Sequence, residues 1–246
     1  MIEDLYKKRR QIRSAWDQKR IPSKELIEGL LKKTLEFAPS KQNLFPFKVH
    51  VIEPDNTKDL HNIAGICALH KTGSVNNWEK NLNNKSNNTD YTKAPWVLIF
   101  ELRLCEPNSF VTNHSKIHND WTRFNQIMPS RYRKDTNMKL ASTEIGMYIE
   151  LLTGLCLEKD LAISYIMSFP NWSLSKEGEY RKDGNKTGYT WDKLPYITEA
   201  PVMVVQIGYK APIKDPLATK IKFGHSYEEN KPDFKTVINF HPKRTD

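Results

Sequence analysis

Short apolar segments separated by helical patterns constrain the fold of this chain most. The segments Ala94–Leu104 and Ala200–Ala211 are rich in β-branched and aromatic residues and are only about as long as a strand, so both are predicted to be buried strands. Lys48–Glu53 and "AISYIMSF" are shorter segments of the same kind. Helical spacing occurs between them, and this order predicts a mixed sheet covered by helices.

Four helices are predicted from the spacing of the apolar residues. Residues 1–20 are typical of an amphipathic helix rich in cations, and a second helix begins at Pro22 and Ser23. "NTKDLHNIAGICALHK" predicts a third helix. A long fourth helix is predicted to start at an N-cap Ser142 or Thr143. The remaining segments are predicted to be loops or irregular: 73–93, 106–139, 170–196 and the basic tail from Pro212.

Composition narrows the class of protein. A length of 246 residues suits a single domain spanning 1–246, with a lid over about 106–139 and a tail over about 212–246. No segment approaches the roughly 20 apolar residues of a membrane span. The N-terminus lacks the apolar region of a secretory signal, and the three scattered cysteines fit reduced thiols. We therefore expect a cytoplasmic protein.

The net charge of +9 fits either a nucleic-acid partner or a phosphorylated cofactor. Lysines are spread along the whole chain and no nucleic-acid-binding motif occurs, so we expect no nucleic-acid partner. His114 and His118 have a spacing that could bind a metal on a helix, but no third ligand is evident, and we expect no metal site. Ser142 beside Glu144 is interpreted as a helix cap, and we nominate no catalytic side chain.

A run of polar residues joins the second helix to the strand that follows it. Ser40, Lys41, Gln42 and Asn43 all carry side chains that form hydrogen bonds, and Pro46 leads into the strand. A plain helix–strand connection does not need this run. Because a polar loop held between rigid elements is well placed to bind a ligand, the loop is a candidate binding site.

A cationic cluster near the N-terminus is the second candidate site. "RRQIR" contains Arg9, Arg10, Gln11 and Arg13, and arginine is the side chain best suited to bidentate phosphate contact. The same cluster could also be a solvated helix face. A second basic pair, Lys220 and Lys222, follows the last predicted strand. The two basic sites can share one phosphate only if the fold brings them together.

Several blocks of sequence, taken together, resemble the nitroreductase family of flavoproteins. "RRQIRSAWDQKRIPSKELIEGLLKKTLEFAPSKQNLFPFKVHVIE" is similar to the N-terminal signature of that family, with its arginine-rich opening and its Ala-Pro-Ser-x-x-Asn loop. "KAPWVLIFEL", "IGMYIELLTGLCLEKDLAISYI", "APVMVVQIGYKA" and "TKIK" resemble later parts of the family pattern in the right order. The resemblance covers about residues 8–225.

The resemblance implies an α+β fold with a mainly antiparallel central sheet flanked by helices, in an intertwined homodimer that binds FMN at its interface. Arg9, Gln11 and Arg13 would then hold the phosphate and ribityl chain. Asn87 is the candidate to reach the ring of the other protomer. The full set of residues implied to bind FMN is Arg9, Arg10, Gln11, Arg13, Pro39, Ser40, Lys41, Asn43, Asn87, Met167, Lys220 and Lys222.

The resemblance also implies a cytoplasmic oxidoreductase that uses NADH or NADPH to reduce nitro, quinone or similar small-molecule acceptors by ping-pong turnover, with FMN carrying the hydride. The sequence departs from the family at several positions. Gln11, Phe45 and Cys156 replace the usual residues. Ile166, Met167 or Ser168 would supply the backbone N–H to flavin N5 where many members carry Glu-Gly. A flavin store or sensor, or specialised flavin chemistry such as reductive dehalogenation, is therefore the alternative.

Overall fold

The computed structural model describes residues 2–7, 9, 16–40, 43–72, 94–103, 109–118, 134–167, 191–198 and 201–211. All of these residues belong to one unit, Met1–Ala211. The predicted loop 73–93 and the tail from Pro212 lie outside the described residues. The prediction of a single domain over the whole chain therefore stays a prediction.

Four strands form one antiparallel sheet in the described part of the chain. They are β1 (Phe47–Ile52), β2 (Trp96–Leu102), β3 (Leu161–Ile166) and β4 (Pro201–Tyr209). Their order across the sheet is β1-β2-β4-β3, so β1 and β3 are the edges. All three pairings are antiparallel. The two long apolar segments form the central strands, as expected for strands buried on both faces.

The described part of the chain contains five helices. They are α1 (Ile2–Lys7), α2 (Lys24–Phe37), α3 (Thr57–Thr72), α4 (Ser109–His118) and α5 (Lys134–Glu158). The N-cap of α2 is Ser23, whose hydroxyl accepts a hydrogen bond from the Leu26 N–H at 3.2 Å, as predicted. A short 3₁₀ turn, Trp191–Lys193, follows later in the chain.

One core cluster lies between the sheet and helices α2 and α5; we call this side the α2/α5 face. Strand residues such as Leu98 and Phe100, both 0% exposed, pack there against Ile27 of α2 and Leu152 of α5. Phe47, Phe100 and Tyr148 make edge or tilted ring contacts with centroids 5.5–5.8 Å apart. Alternate strand residues on this face are apolar or aromatic, which makes it the main hydrophobic layer.

The other core cluster lies on the opposite side of the sheet; we call this side the α3 face. Ile63, Ile66 and Cys67 of α3 pack there with Trp191 of the 3₁₀ turn and with Trp16. Trp16 forms a bridge with Lys210, and the Asp17 N–H donates to the Tyr209 carbonyl at 2.8 Å. The chain before α2 therefore extends along the end of β4.

Three predictions about helices were wrong. The predicted helix over 1–20 is limited to Ile2–Lys7 among the described residues, because Trp16 is buried against β4 and pairs with it instead. The segment 106–139 is not irregular throughout, since it contains α4 and the start of α5. Ser142 and Thr143 do not cap α5. They lie within it on the exposed side, where short polar side chains are tolerated in a helix.

None of the helices in the described ranges is long and apolar enough to span a bilayer.

Candidate functional site

The polar loop between α2 and β1 is tied to the long helix α5. The Ser40 hydroxyl donates to a Glu144 carboxylate oxygen at 2.7 Å, and it accepts a hydrogen bond from the Phe45 N–H at 2.8 Å. The Asn43 N–H donates to the Ser40 carbonyl at 3.1 Å. Because a serine hydroxyl has one proton, its donor capacity is fully used in this arrangement. Ser40 therefore holds the shape of the loop, and the exposed Pro39 and Asn43 are its surfaces open to a ligand.

The second half of the loop is held by the residue that follows β2. Arg103 Nη2 donates to the Leu44 carbonyl at 2.5 Å, and the Arg103 N–H donates to the Pro46 carbonyl at 3.1 Å. The loop is thus fixed to α5 at one end and to a sheet strand at the other. A loop held from both sides costs a ligand little ordering entropy on binding.

Two residues of the loop have backbone angles in the left-handed region. Asn43 has φ 59° and Phe45 has φ 48°; Asp160 is the only other non-glycine residue with positive φ among those described. Asparagine tolerates this conformation, but for an aromatic residue it is strained. The hydrogen bonds of Ser40 and Arg103 maintain the strained turn. Such strain is commonest at sites that grip a ligand, so it marks the loop as a binding candidate.

The N-terminal segment docks elsewhere on α5. The Tyr6 hydroxyl donates to the Glu150 carbonyl at 3.5 Å, and the Arg9 N–H donates to the Tyr6 carbonyl at 3.0 Å. A Cβ added at Gly154 would lie 3.5 Å from the Tyr6 hydroxyl, an ordinary contact distance. The turn that begins at Tyr6 brings Arg9 to the edge strand β3.

Arg9 lies over an aromatic ring of that strand. Its guanidinium carbon is 5.7 Å from the centroid of Tyr165, within the range of a cation–π interaction. Burial raises the pKa of Tyr165, while the charge of Arg9 acts in the opposite direction. In the described part of the chain, no carboxylate forms an ion pair with Arg9. Its charge is therefore available to an anion.

Within one chain, the two candidate elements lie at opposite edges of the sheet. The polar loop leads into β1, whereas Arg9 contacts β3, and β2 and β4 lie between these edges. Three strand spacings separate them by about 14 Å. Thr143, Gly146, Met147 and Glu150 form an exposed strip of α5 between the two docking points. One chain alone does not bring Arg9 and the loop into contact.

The structure describes five of the predicted site residues. Arg9 and Met167 lie at the β3 edge, and Met167, 66% exposed, directly follows that strand. Pro39, Ser40 and Asn43 lie in the polar loop at the β1 edge. The other predicted residues lie outside the described part, so their roles stay predictions: Arg10, Gln11, Arg13, Lys41, Asn87, Lys220 and Lys222.

Sequence reasoning missed the residues that hold the site in place. Glu144 had been interpreted only as a neighbour of a helix cap, and Arg103 and Tyr165 were not singled out. Each acts on a group that is distant in sequence: Ser40 and Glu144 are 104 residues apart, and Arg103 and Leu44 are 59 apart. The one local signal for Glu144 was a carboxylate in a helix whose inner side is mostly apolar.

A separate polar network fixes the connection that leads to β4. Glu101 is 0% exposed and accepts hydrogen bonds from the Thr198 N–H at 3.1 Å and from its hydroxyl at 2.8 Å. Its other oxygen lies 2.6 Å from His50 Nε2. Nearby, Tyr196 donates to Asp59 at 2.9 Å, and burial together with this bond raises the pKa of Tyr196. Because these partners belong to neighbouring elements of the same chain, we interpret the network as structural.

Metal and thiol chemistry have no support in the described ranges. No group of three or more potential ligands there could hold a metal ion. Cys67 and Cys156 are free and buried, and burial raises the pKa of each thiol to about 12. Thiols of this kind are poor nucleophiles at neutral pH.

Comparison with known proteins supports the fold. No family model and no curated protein matches the sequence. A nitroreductase-like protein of Streptococcus mutans matches with a TM-score of 0.60 and 12% identity, over 98% of this chain and 100% of that chain. A nitroreductase family protein of Streptococcus pneumoniae matches with a TM-score of 0.55 and 14% identity, over 98% and 100%.

A nitroreductase of Desulfitobacterium hafniense, solved with bound FMN, matches with a TM-score of 0.51 and 14% identity, over 98% of each chain. Identities this low establish the fold alone. The chain has the nitroreductase fold, with helices packed on an antiparallel sheet, as the sequence resemblance implied.

Proposed function

We propose that this chain binds FMN and transfers hydride from NADH or NADPH to a small-molecule acceptor. The observation that carries the proposal is a pair of ordered elements: the strained polar loop bound to α5, and Arg9, which lies against β3 and has no carboxylate partner among the described residues. An elongated ligand with a phosphate at one end and a polar ring at the other matches this pair. The FMN bound to the D. hafniense relative is such a ligand.

The residues present fit FMN. The Arg9 guanidinium has no carboxylate partner among the described residues and can donate to phosphate oxygens. The exposed amide of Asn43 can donate to and accept from the polar edge of a ring. Met167 follows an edge strand, where backbone N–H groups are not all used by the sheet. When bound, FMN supplies the hydride chemistry, and the protein binds and orients it.

A homodimer completes this site in the proposal. Arg9 and Met167 lie at the β3 edge, and the loop of Ser40 and Asn43 lies at the β1 edge, about 14 Å away across the sheet. A second copy placed against the exposed strip of α5 can bring its loop to the first copy's Arg9. Met147 is 40% exposed in this strip and a Cβ at Gly146 would meet nothing within 4 Å, so the strip has room for a partner.

An anaerobic absorption experiment tests the function. The purified protein, or the protein after addition of FMN, is expected to show flavin bands that bleach when NADPH or NADH is added and return when a quinone or nitro compound follows. Flavin bands that persist in excess nicotinamide would favour the alternative of a flavin store or sensor, which is motivated by Met167 in place of the usual Glu-Gly. A protein that takes up no FMN would contradict the proposal.

Mixing two inactive variants tests the shared site. Arg9→Ala removes the cation and Asn43→Ala removes the loop amide, so each homodimer is expected to bind FMN weakly. Refolding the two variants together is expected to produce mixed dimers in which one of the two sites has both groups intact. We predict that the mixture recovers FMN binding and that neither variant recovers it when refolded alone. No recovery would contradict a site shared between copies.

A further inference from the structure

Tyr165 contacts Arg9, the one residue of the predicted cationic cluster that the structure describes. Tyr165 was not among the predicted site residues. It is partly buried on the α2/α5 face and is the next-to-last residue of the edge strand β3. Its ring lies beneath the Arg9 guanidinium, with 5.7 Å between the guanidinium carbon and the ring centroid. The contact therefore occurs where a defined strand meets the N-terminal segment.

The ring of Tyr165 is itself fixed by a chain of hydrogen bonds. Thr153 donates its hydroxyl proton to the Ile149 carbonyl at 2.7 Å. Its oxygen lies 2.5 Å from the Tyr165 hydroxyl. Because the single proton of Thr153 is already used, the phenol must be the donor in this second bond. The orientation of the Tyr165 ring is thus set by helix α5.

The contact between Arg9 and Tyr165 leaves most of the guanidinium available to a further ligand. Arg9 forms a side-chain hydrogen bond with Tyr165, and a guanidinium carries five N–H donors, so donors remain for an anion. A carboxylate partner would occupy those donors and neutralise the charge, and none pairs with Arg9 in the described part of the chain. The backbone of Arg9 is also fixed, because its backbone N–H donates to the Tyr6 carbonyl at 3.0 Å.

We infer that Tyr165 is a positioning residue that holds Arg9 for the phosphate of the flavin, and that this contact contributes to a preference for FMN over riboflavin. The inference rests on the proposed function, because it names the residue that sets one specificity of the same site. Tyr165 does not itself contact the phosphate in this account. It acts through the guanidinium.

The test compares dissociation constants for FMN and riboflavin in the full-length protein, measured by quenching of flavin fluorescence. The ratio of the two constants isolates the phosphate contribution, because a general loss of packing weakens both ligands alike. Tyr165→Leu removes the ring and is expected to lower the preference for FMN by about two- to fivefold. Tyr165→Phe keeps the ring but loses the phenol oxygen, and is expected to keep more of the preference than Tyr165→Leu does. In an Arg9→Ala background, Tyr165→Leu is expected to change the preference no further.

Several results would overturn the inference. Equal affinities of the wild-type protein for FMN and riboflavin would contradict the inference, although flavin binding itself would stand. An unchanged preference for FMN over riboflavin in Tyr165→Leu would also contradict the inference. Arg9 is exposed, so Arg9→Ala is expected to fold even if the leucine variant does not, and an unchanged preference there would also overturn the inference. A wild-type protein that binds no flavin would instead overturn the proposed function, and with it this inference.

Discussion

The two faces of the sheet use polar side chains differently. On the α2/α5 face, inward-pointing strand residues are apolar or aromatic, and Ser40 of the loop and Tyr6 of the N-terminal segment form hydrogen bonds to α5. On the α3 face, the strands themselves bury Glu101, Ser164 and Gln206. Glu101 ties down a chain connection, whereas Glu144 holds a loop open to solvent. The comparison suggests that the α3 face serves stability and that the margins of the α2/α5 face serve ligand binding.

The largest effect is expected from Glu101→Ala on the α3 face. The variant leaves His50 and the Thr198 N–H without their buried carboxylate, so the free energy of unfolding should fall by about 3–5 kcal/mol. Urea unfolding followed by tryptophan fluorescence measures this loss. Glu53→Ala, which breaks an exposed ion pair with Lys24, is the matched control and should change little. Equal effects of the two variants would contradict a structural role for Glu101.

A glycine substitution provides the next test of the α3 face. A Cβ at Gly208 would meet Pro95 Cδ at 2.7 Å and Trp16 Cε3 at 2.9 Å. Gly208→Ala should therefore destabilise the protein by about 1–3 kcal/mol through overpacking. Gly29 lies in α2 with nothing within 4 Å of its added Cβ. Gly29→Ala should stabilise the protein by up to about 1 kcal/mol. Thermal unfolding of both variants measures these changes. Shifts of the two melting temperatures in the same direction would contradict this packing.

One buried thiol on each face gives a pH-dependent comparison. Burial raises the pKa of Cys67, on the α3 face, and of Cys156, on the α2/α5 face, to about 12. Unfolded thiols ionise near pH 8.5, so the unfolded state releases protons that the folded state keeps. Stability is then complete below about pH 8.5 and falls as pH rises, by up to about 1.4 kcal/mol per pH unit for each thiol.

Urea unfolding of wild type, Cys67→Ala and Cys156→Ala between pH 8 and 10 tests this expectation. Each variant should show a shallower decline than wild type, and the two slopes should match if both faces exclude water equally. If one substitution leaves the decline of stability with pH unchanged, the thiol that it removes is exposed.

The smallest stability effect, and the most selective effect on binding, is expected at Ser40. Ser40→Ala loses the bonds to Glu144 and to the Phe45 N–H, and Ser23→Ala loses the cap of α2, each at a cost of about 1 kcal/mol. Only Ser40→Ala should weaken FMN binding, because it releases the strained loop. Calorimetric titration of both variants with FMN measures the difference. Equal FMN affinities would show that the loop does not bind the ligand.

The regular elements could be predicted from local sequence because their causes are local. The cap at Ser23, the apolar spacing in α2 and the length of the Ala94–Leu104 segment are all present in short windows. The N-terminal helix was predicted too long because the burial of Trp16 depends on β4, nearly 200 residues later in the chain. Helix α4 was missed because its sequence is rich in polar and β-branched residues, which favour helices weakly.

The candidate site was predictable in part. The polar loop and the cluster containing Arg9 were identified from residue type, because phosphate and ring edges require such side chains. The supports of the site were not, since Glu144, Arg103 and Tyr165 act through contacts between distant segments. The placement of Arg9 and the loop at opposite edges of the sheet depends on the strand order β1-β2-β4-β3, which no local pattern specifies.

Calorimetric titration of the wild-type protein with FMN tests the central claim most directly. The account predicts saturable binding at one FMN per chain, with weaker binding of riboflavin, which lacks the phosphate. Absence of saturable FMN binding would contradict it, and the nitroreductase fold would then serve some other ligand in this chain.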